Sequence, residues 1–251
     1  MNTQMQKEKI VELPEGFTTR GAVLGDVENA LKLFNRWSQS MIHEDEITDA
    51  IALRTEWLSP GFDMAKDTLL VFAPDGEMVG YVEVWTTAKP PVHPWIWARV
   101  DPHYESLGIG THLLMWAEEH AKKALDKVPA DLRVAPQVGT YQQAEASKKL
   151  FADMGYQHIR SSYTMHIDMD TFPVAPVWRA WRKRGLGLAL LRHAFCELYQ
   201  RGKHKTALGV DAENLTGALR LYENAGMHIH QTFDRFEKEI RPGKEISVQS
   251  L

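Results

Sequence analysis

The sequence predicts an α/β (α+β) fold in which a mixed, mostly antiparallel central sheet is flanked by helices. Three observations lead there. Short β-rich runs alternate with amphipathic helical stretches along the chain. The turn Pro74-Asp75-Gly76 joins two consecutive β-rich runs and makes them an antiparallel hairpin. Twice, a β-rich run passes through Gly-x-Gly into a long helix, at Gly108-Ile109-Gly110 and at Gly185-Leu186-Gly187.

In chain order, a weak strand is expected near 17–21. Asp26 then caps a helix whose apolar residues Val27, Ala30, Leu31, Phe34 and Trp37 recur at helical spacing, and Ser59-Pro60-Gly61 stops a second helix over 48–58. Strands over 68–73 and 77–86 flank the hairpin turn, and a third over 94–100 follows the break Lys89-Pro90-Pro91. After the first Gly-x-Gly come a helix to 125, a strand around 132–138, a helix over 142–154 and a strand over 156–169. The remainder reads as a strand over 174–177, a helix over 188–201, a strand over 206–211, a helix over 216–225, and two closing strands at 229–233 and 235–240.

This second series repeats part of the first. Val100 and Gly108-Ile109-Gly110 match Val177 and Gly185-Leu186-Gly187, 77 residues later, and Leu150-Phe151 with Gly155-Tyr156 matches Leu221-Tyr222 with Gly226-Met227, 71 residues later. Ahead of its Gly-x-Gly the first copy carries a strand, two helices and the hairpin; between Asp170 and Gly185 the second has room for none of them. The chain therefore divides into one full copy, 15–170, and one partial copy, 171–243, with 1–14 and 244–251 as flexible tails. A half-sheet starting at 174–177 has an unpaired edge, expected to be covered by the first domain or by a second chain in a homodimer.

Composition narrows the function. With 44% hydrophobic and 25% charged residues the chain can bury a core, which excludes disorder and fibres. The single cysteine, Cys196, forms no internal disulfide and excludes a Cys-rich zinc site. The polar start at 1–10 has no signal-peptide core and no apolar run reaches membrane-spanning length, so the protein is expected to be cytoplasmic, without a membrane partner. A net charge of −4 gives no global attraction to nucleic acid. Locally, however, 178–205 holds eight Lys/Arg against the one acid Glu197, a stretch that favours an anionic ligand.

That stretch contains Arg182-Lys183-Arg184-Gly185-Leu186-Gly187-Leu188-Ala189 between a predicted strand and helix. Glycines let the backbone turn its N–H groups inward, and the free N–H groups of the helix start add partial positive charge, so such a loop can hold a pyrophosphate; strand-to-helix turns also use glycine for purely steric reasons. The pattern Arg182-x-x-Gly185-x-Gly187, followed by Asn214, Ala218, Leu221-Tyr222 and Gly226-Met227, resembles the GNAT acetyltransferase superfamily, in particular tandem members similar to mycothiol synthase.

The resemblance implies that acetyl-CoA, as cosubstrate and without a metal, is bound by the backbone of Leu186, Gly187 and Ala189 and the side chains of Arg182, Lys183 and Arg184. It implies that Asn214 bonds the pantetheine arm or nearby backbone, and that Tyr222 protonates the departing thiolate. Taken without the resemblance, Tyr222 reads as a helix residue packing on the sheet. The first copy has Glu105 where the family has Gln or Arg and Phe151 where it has Tyr, which makes it a scaffold or a weak cofactor site. No general base is assigned: Asp211 and Glu213 belong to the second copy, Glu83 to the first, and water can relay a proton. His43-Glu44-Asp45-Glu46 reads as a solvated loop, or as an acidic rim suited to a cationic acceptor. His228 and His230 share a strand face without a third metal ligand at sensible spacing. The expected activity is acyl transfer from acetyl-CoA to a primary amine on a small molecule or peptide. The alternatives are a non-catalytic CoA-binding or structural member and, from another class, a nucleic-acid-associated protein.

Overall fold

The computed structural model describes residues 11–44, 48–170, 186–214 and 216–246. They group into two compact units, the first of 11–44, 48–139, 143–157 and 236–246, the second of 140–142, 158–170, 186–214 and 216–235.

In the first unit, strands β1 (Thr18–Arg20), β2 (Thr68–Phe72), β3 (Met78–Trp85), β4 (Trp95–Val100) and β5 (Gln137–Tyr141) lie in that order. The first four pair antiparallel, while β5 runs parallel to β4. The expected hairpin closes through the Ala73 N–H donating to the Glu77 carbonyl, with Gly76 at φ 84°, a left-handed angle that costs a Cβ-free residue nothing. Helix α1 (Val27–Ile42) buries Val27, Ala30, Leu33, Phe34 and Trp37. Helix α2 (Ala50–Trp57) starts at Asp49, whose carboxylate accepts from the N–H groups of Ile51 and Ala52. A single-turn helix, α3 (Met64–Asp67), leads into β2. Helices α4 (Ile109–Ala121) and α5 (Glu145–Asp153) form the opposite layer.

Strand alternation sorts the two cores. Leu69 and Val71 of β2, Val82 and Val84 of β3 and Ile96 of β4 meet Ile109, Leu113 and Ala117 of α4. Leu70 and Tyr81, with Trp97 beside them, meet Leu33, Phe34, Leu53 and Trp57 of α1 and α2. Gly80 lets α4 approach: a Cβ there would lie 2.9 Å from Ile109 Cγ2 and 3.1 Å from Val71 Cβ.

In the second unit, β6 (Gln157–Asp168) pairs antiparallel with β7 (Lys205–Asp211) and neighbours β8 (His228–Glu237), in the order β8-β6-β7. Helices α6 (Leu186–Gln200) and α7 (Ala218–Asn224) accompany them, and the core is Met165, Ile167, Met169, Phe195, Val210, Ala225 and Met227.

Four expectations shift. The two closing strands are one, β8, because Asp234 stays in the ladder with its carboxylate accepting from the Ser161 hydroxyl at 2.7 Å. The strand expected at 132–138 begins at Gln137, after Pro136; Leu132 and Val134 form isolated bridges to Lys244 and Arg241. The helix expected to reach 125 tightens after Ala121 into a 3₁₀ stretch, Lys122–Lys127. Residues 244 and 245, expected in a flexible tail, are tied down: Lys244 exchanges backbone bonds with Asp131 and Arg133, and the Glu245 carboxylate meets Arg133 at 3.1 Å. The strand expected at 174–177, and with it the unpaired edge, lies outside the described residues. Among the described residues no helix is long and apolar enough to cross a membrane.

Candidate active site

Strands β4 and β5 are in register only at Trp95↔Gln137 and Ile96↔Val138. Beyond that they part, which leaves the later backbone groups of β4 without β5 as a partner while β3 continues to pair β4 on its other side, out to Gly80↔Val100. A cavity of about 290 Å³ occupies the parting, lined by Ile96, Ala98 and Val100 on one wall and Val138 and Gly139 on the other. Gly108, Gly110 and Thr111 line it as well, so the first turn of α4, with N–H groups that have no intrahelical acceptor, borders this space. The approach to that turn holds two left-handed residues, Ser106 at φ 63° and Gly108 at φ 81°. Ser106 is a non-glycine residue in this region, a local strain of the kind found at ligand-binding turns.

On the α1/α2 side of the sheet a second cavity, about 520 Å³, is lined by Phe34, Leu53, Glu83, Trp85, Trp95 and Trp97 among others. Cross-strand pairing explains the cluster: Glu83 sits opposite Trp97 and Trp85 opposite Trp95, so all four point to one face. Strand β4 thus contributes wall to both cavities, through Ile96, Ala98 and Val100 on one face and Trp95 and Trp97 on the other.

Glu83 is the buried acid of this face, 8% exposed. Its Oε2 accepts from the Tyr81 hydroxyl at 2.5 Å and its Oε1 from Trp85 Nε1 at 2.9 Å; Tyr81 in turn accepts from Trp57 Nε1 at 2.9 Å. Burial raises the Glu83 carboxyl to about 7, against the opposing pull of those two donors. Burial and the neighbouring Glu83 charge push the Tyr81 phenol well above its ordinary range, so it serves as a donor and not as a base. Arg99 lies flat between Trp37 and Trp97, with its guanidinium carbon 3.9 and 4.0 Å from their ring centres.

The sequence model of the Acetyltransferase (GNAT) family matches residues 30–156, half of the chain. The chain belongs to the GNAT acetyltransferase family. The matched residues run from α1 through α5 and contain both cavities. The GCN5-related N-acetyltransferase from Sphaerobacter thermophilus is similar over 94% of this chain and 99% of its own, at 25% identity and a TM-score of 0.81. A tandem GNAT protein from the clavulanic acid biosynthesis pathway shares the fold over 91% of this chain and all of its own, at 11% identity and a TM-score of 0.64. No protein of curated function matches the sequence.

Within this GNAT N-acetyltransferase, Arg182, Lys183, Arg184 and Gly185 lie outside the described residues. Leu186, Gly187 and Ala189 form the first turn of α6. The Asn214 side-chain oxygen accepts from the Thr216 N–H at 2.8 Å and from its hydroxyl at 2.5 Å, a turn-forming contact. The Tyr222 ring packs on the second unit's core. Asp211 pairs with Arg160 at 3.0 Å. His230 stacks on His166 with 3.9 Å between ring centres, and among the described residues no group of three or more His, Cys, Asp or Glu is placed to hold a metal. In the first unit Glu105 is exposed, and Phe151 packs against Tyr156 and Phe236. The residue that sequence reasoning left unassigned is Glu83; its signal was a carboxylate inside Gly80-Tyr81-Val82-Glu83-Val84-Trp85, a run otherwise free of charge.

Proposed function

We propose that the enzyme transfers the acetyl group of acetyl-CoA to a primary amine, with the cosubstrate in the β4–β5 cleft of the first unit and Glu83 as the general base. The observation that carries this is the arrangement of two cavities on either face of β4, one bordered by the α4 amino terminus and the other holding a buried carboxyl raised to about 7. Beyond its pairing with β5, the edge of β4 that faces the cleft can offer backbone donors and acceptors to a linear amide chain, as a sheet edge does to an added strand. The α4 amino terminus offers N–H groups to a pyrophosphate. Bound there, acetyl-CoA supplies a thioester carbonyl.

The chain's residues supply the rest. A primary amine arrives as an ammonium ion and must lose one proton before its nitrogen can attack. A base near neutrality is suited to this, because it is partly ionised at pH 7 and still basic enough to take the proton. Glu83 accepts that proton. The neutral nitrogen then bonds to the carbonyl carbon, the carbon–sulfur bond breaks, and the second amine proton leaves as the thiolate gains one, giving amide, free thiol and one proton that Glu83 returns to water. Glu105, where the family pattern has Gln or Arg, is exposed, so solvent screens its charge.

Calorimetric titration of acetyl-CoA into wild type, Ala146→Trp and Arg182→Glu tests the assignment. Ala146 is exposed on α5 and lines the smaller cavity, so a tryptophan there fills the cleft without disturbing the core. Binding lost in Ala146→Trp and kept in Arg182→Glu is the expected result. Binding lost only in Arg182→Glu moves the cosubstrate to the second unit and overturns the proposal.

A further inference from the structure

The larger cavity has a composition that selects among amines. Its walls are aromatic: Phe34, Trp85, Trp95 and Trp97. These rings are held in place before any ligand arrives. Trp85 stacks on Phe62 with 4.1 Å between ring centres and is tied by its N–H to Glu83. Trp97 is fixed edge-on by Phe34 at 4.6 Å and on one face by Arg99. A preformed aromatic wall binds a flat or apolar body without first having to be ordered.

The charged groups among the described residues lining the cavity are of one kind. Glu83 contributes a buried carboxyl and Glu56 one at an exposed position, which partial loss of water also raises from its ordinary value. Thr48, which also lines the space, has a hydroxyl inaccessible to water and, among the described residues, without a hydrogen-bond partner. No lysine or arginine is among the described residues lining it. A carboxylate-bearing acceptor such as an amino acid would bring its negative charge beside two acids with no cation among the described lining residues, the Arg99 guanidinium being taken up between Trp37 and Trp97, and burying an unpaired charge is costly. An ammonium ion beside aromatic faces and carboxylates is favoured twice. The volume, about 520 Å³, is that of a small-molecule site.

We infer that the acceptor is a small cationic amine on an aromatic or otherwise apolar body and without a carboxylate. This rests on the reading of the cavity as the acceptor site of an acyl transfer. Three amines distinguish the possibilities: 2-phenylethylamine, phenylalanine, which adds a carboxylate to the same body, and glucosamine, which has a polar body. Thiol release under saturating acetyl-CoA gives kcat/KM for each, and quenching of tryptophan fluorescence without acetyl-CoA gives binding.

The expected result is a preference for 2-phenylethylamine over each of the other two of about a hundredfold, the size of effect produced by an unpaired buried charge or by unmatched polar groups. Trp95→Leu is expected to raise the KM for 2-phenylethylamine about tenfold by removing one aromatic face. Glu56→Gln, at an exposed position, should raise it about threefold. An unchanged KM for acetyl-CoA in both variants reports that the fold is kept. Turnover of phenylalanine or glucosamine with 2-phenylethylamine inert overturns the acceptor class and leaves acyl transfer standing. Quenching by 2-phenylethylamine with no amine turned over keeps the cationic, apolar site and overturns the acyl-transfer reading. Neither quenching nor turnover overturns both.

Discussion

Replacement of Glu83 by glutamine tests the active site through two independent readouts, because the same burial that makes Glu83 a base makes it a burden on the fold. Its carboxyl is raised from 4.5 to about 7. Between those values the folded protein holds a proton that the unfolded chain has released, so stability falls as pH rises through this window and no further above it. Each tenfold difference in proton affinity between the folded and unfolded chain is worth about 1.4 kcal/mol, so ionising Glu83 removes about 3 kcal/mol of stability by pH 8. Glutamine carries no such proton. It does carry one oxygen and one NH₂ where Tyr81 and Trp85 both donate, so one donor loses its acceptor at a cost of about 1–2 kcal/mol. At pH 4 the variant is therefore less stable than wild type by about 1–2 kcal/mol, and at pH 8 more stable by about as much. Urea unfolding followed by tryptophan fluorescence at the two pH values measures this, and the wild-type-minus-variant difference cancels every other titrating group. In the kinetic readout, wild-type kcat/KM on an amine rises with pH and levels off near 7, while the variant loses about 10²–10⁴-fold and the inflection with it. A stability difference with the same sign at pH 4 and pH 8, or a variant that keeps both rate and inflection, refutes the assignment of a buried, proton-exchanging Glu83.

Other substitutions probe the frame around the site. Gly80→Ala places a methyl 2.9 Å from Ile109 and 3.1 Å from Val71, and is expected to cost about 1–3 kcal/mol by forcing α4 off the sheet; an unchanged urea midpoint would show that α4 yields freely. Asp49→Ala removes the acceptor of two N–H groups at the start of α2 and should cost about 1 kcal/mol in the same assay, with Asp49→Ser recovering most of it. The Asp26 carboxyl is held below its usual range chiefly by its hydrogen bonds from Arg20, against a cost of burial. Its contribution is present above the ordinary aspartate range and lost as pH falls through the lowered value, so Asp26→Asn should lower stability at neutral pH and lose that penalty in strong acid.

The elements were legible in the sequence where one local rule decided them. Helical spacing through Val27, Ala30, Phe34 and Trp37 gave α1, and the Pro-Asp-Gly turn gave the β2–β3 hairpin. Boundaries shifted where a distant residue decided. Asp234 reads as a break by its own propensity, yet a hydroxyl 73 residues away, on Ser161, satisfies its carboxylate and keeps β8 whole. Residues 132–134 read as strand, yet their bridges go to 241 and 244, beyond the reach of any local window.

Of the candidate site, the sequence showed the Gly-x-Gly turn at 108–110, although the resemblance put the cosubstrate at the other turn, 185–187, and its chemistry was hidden. Gly-x-Gly at the head of a helix is a contiguous signal, whereas the base is made by register. Glu83 is one acid among 33 Asp and Glu until β3 and β4 align Glu83 with Trp97 and Trp85 with Trp95. A single-residue slip of β4 would turn Trp95 and Trp97 to the α4 side and leave Glu83 opposite Ile96 or Ala98. The raised carboxyl and the aromatic wall, and with them the proposed preference for an apolar cation, therefore follow from one pairing. A change that slips or loosens that pairing, without touching Glu83, should lower the kinetic inflection toward the ordinary glutamate range and weaken discrimination against phenylalanine together.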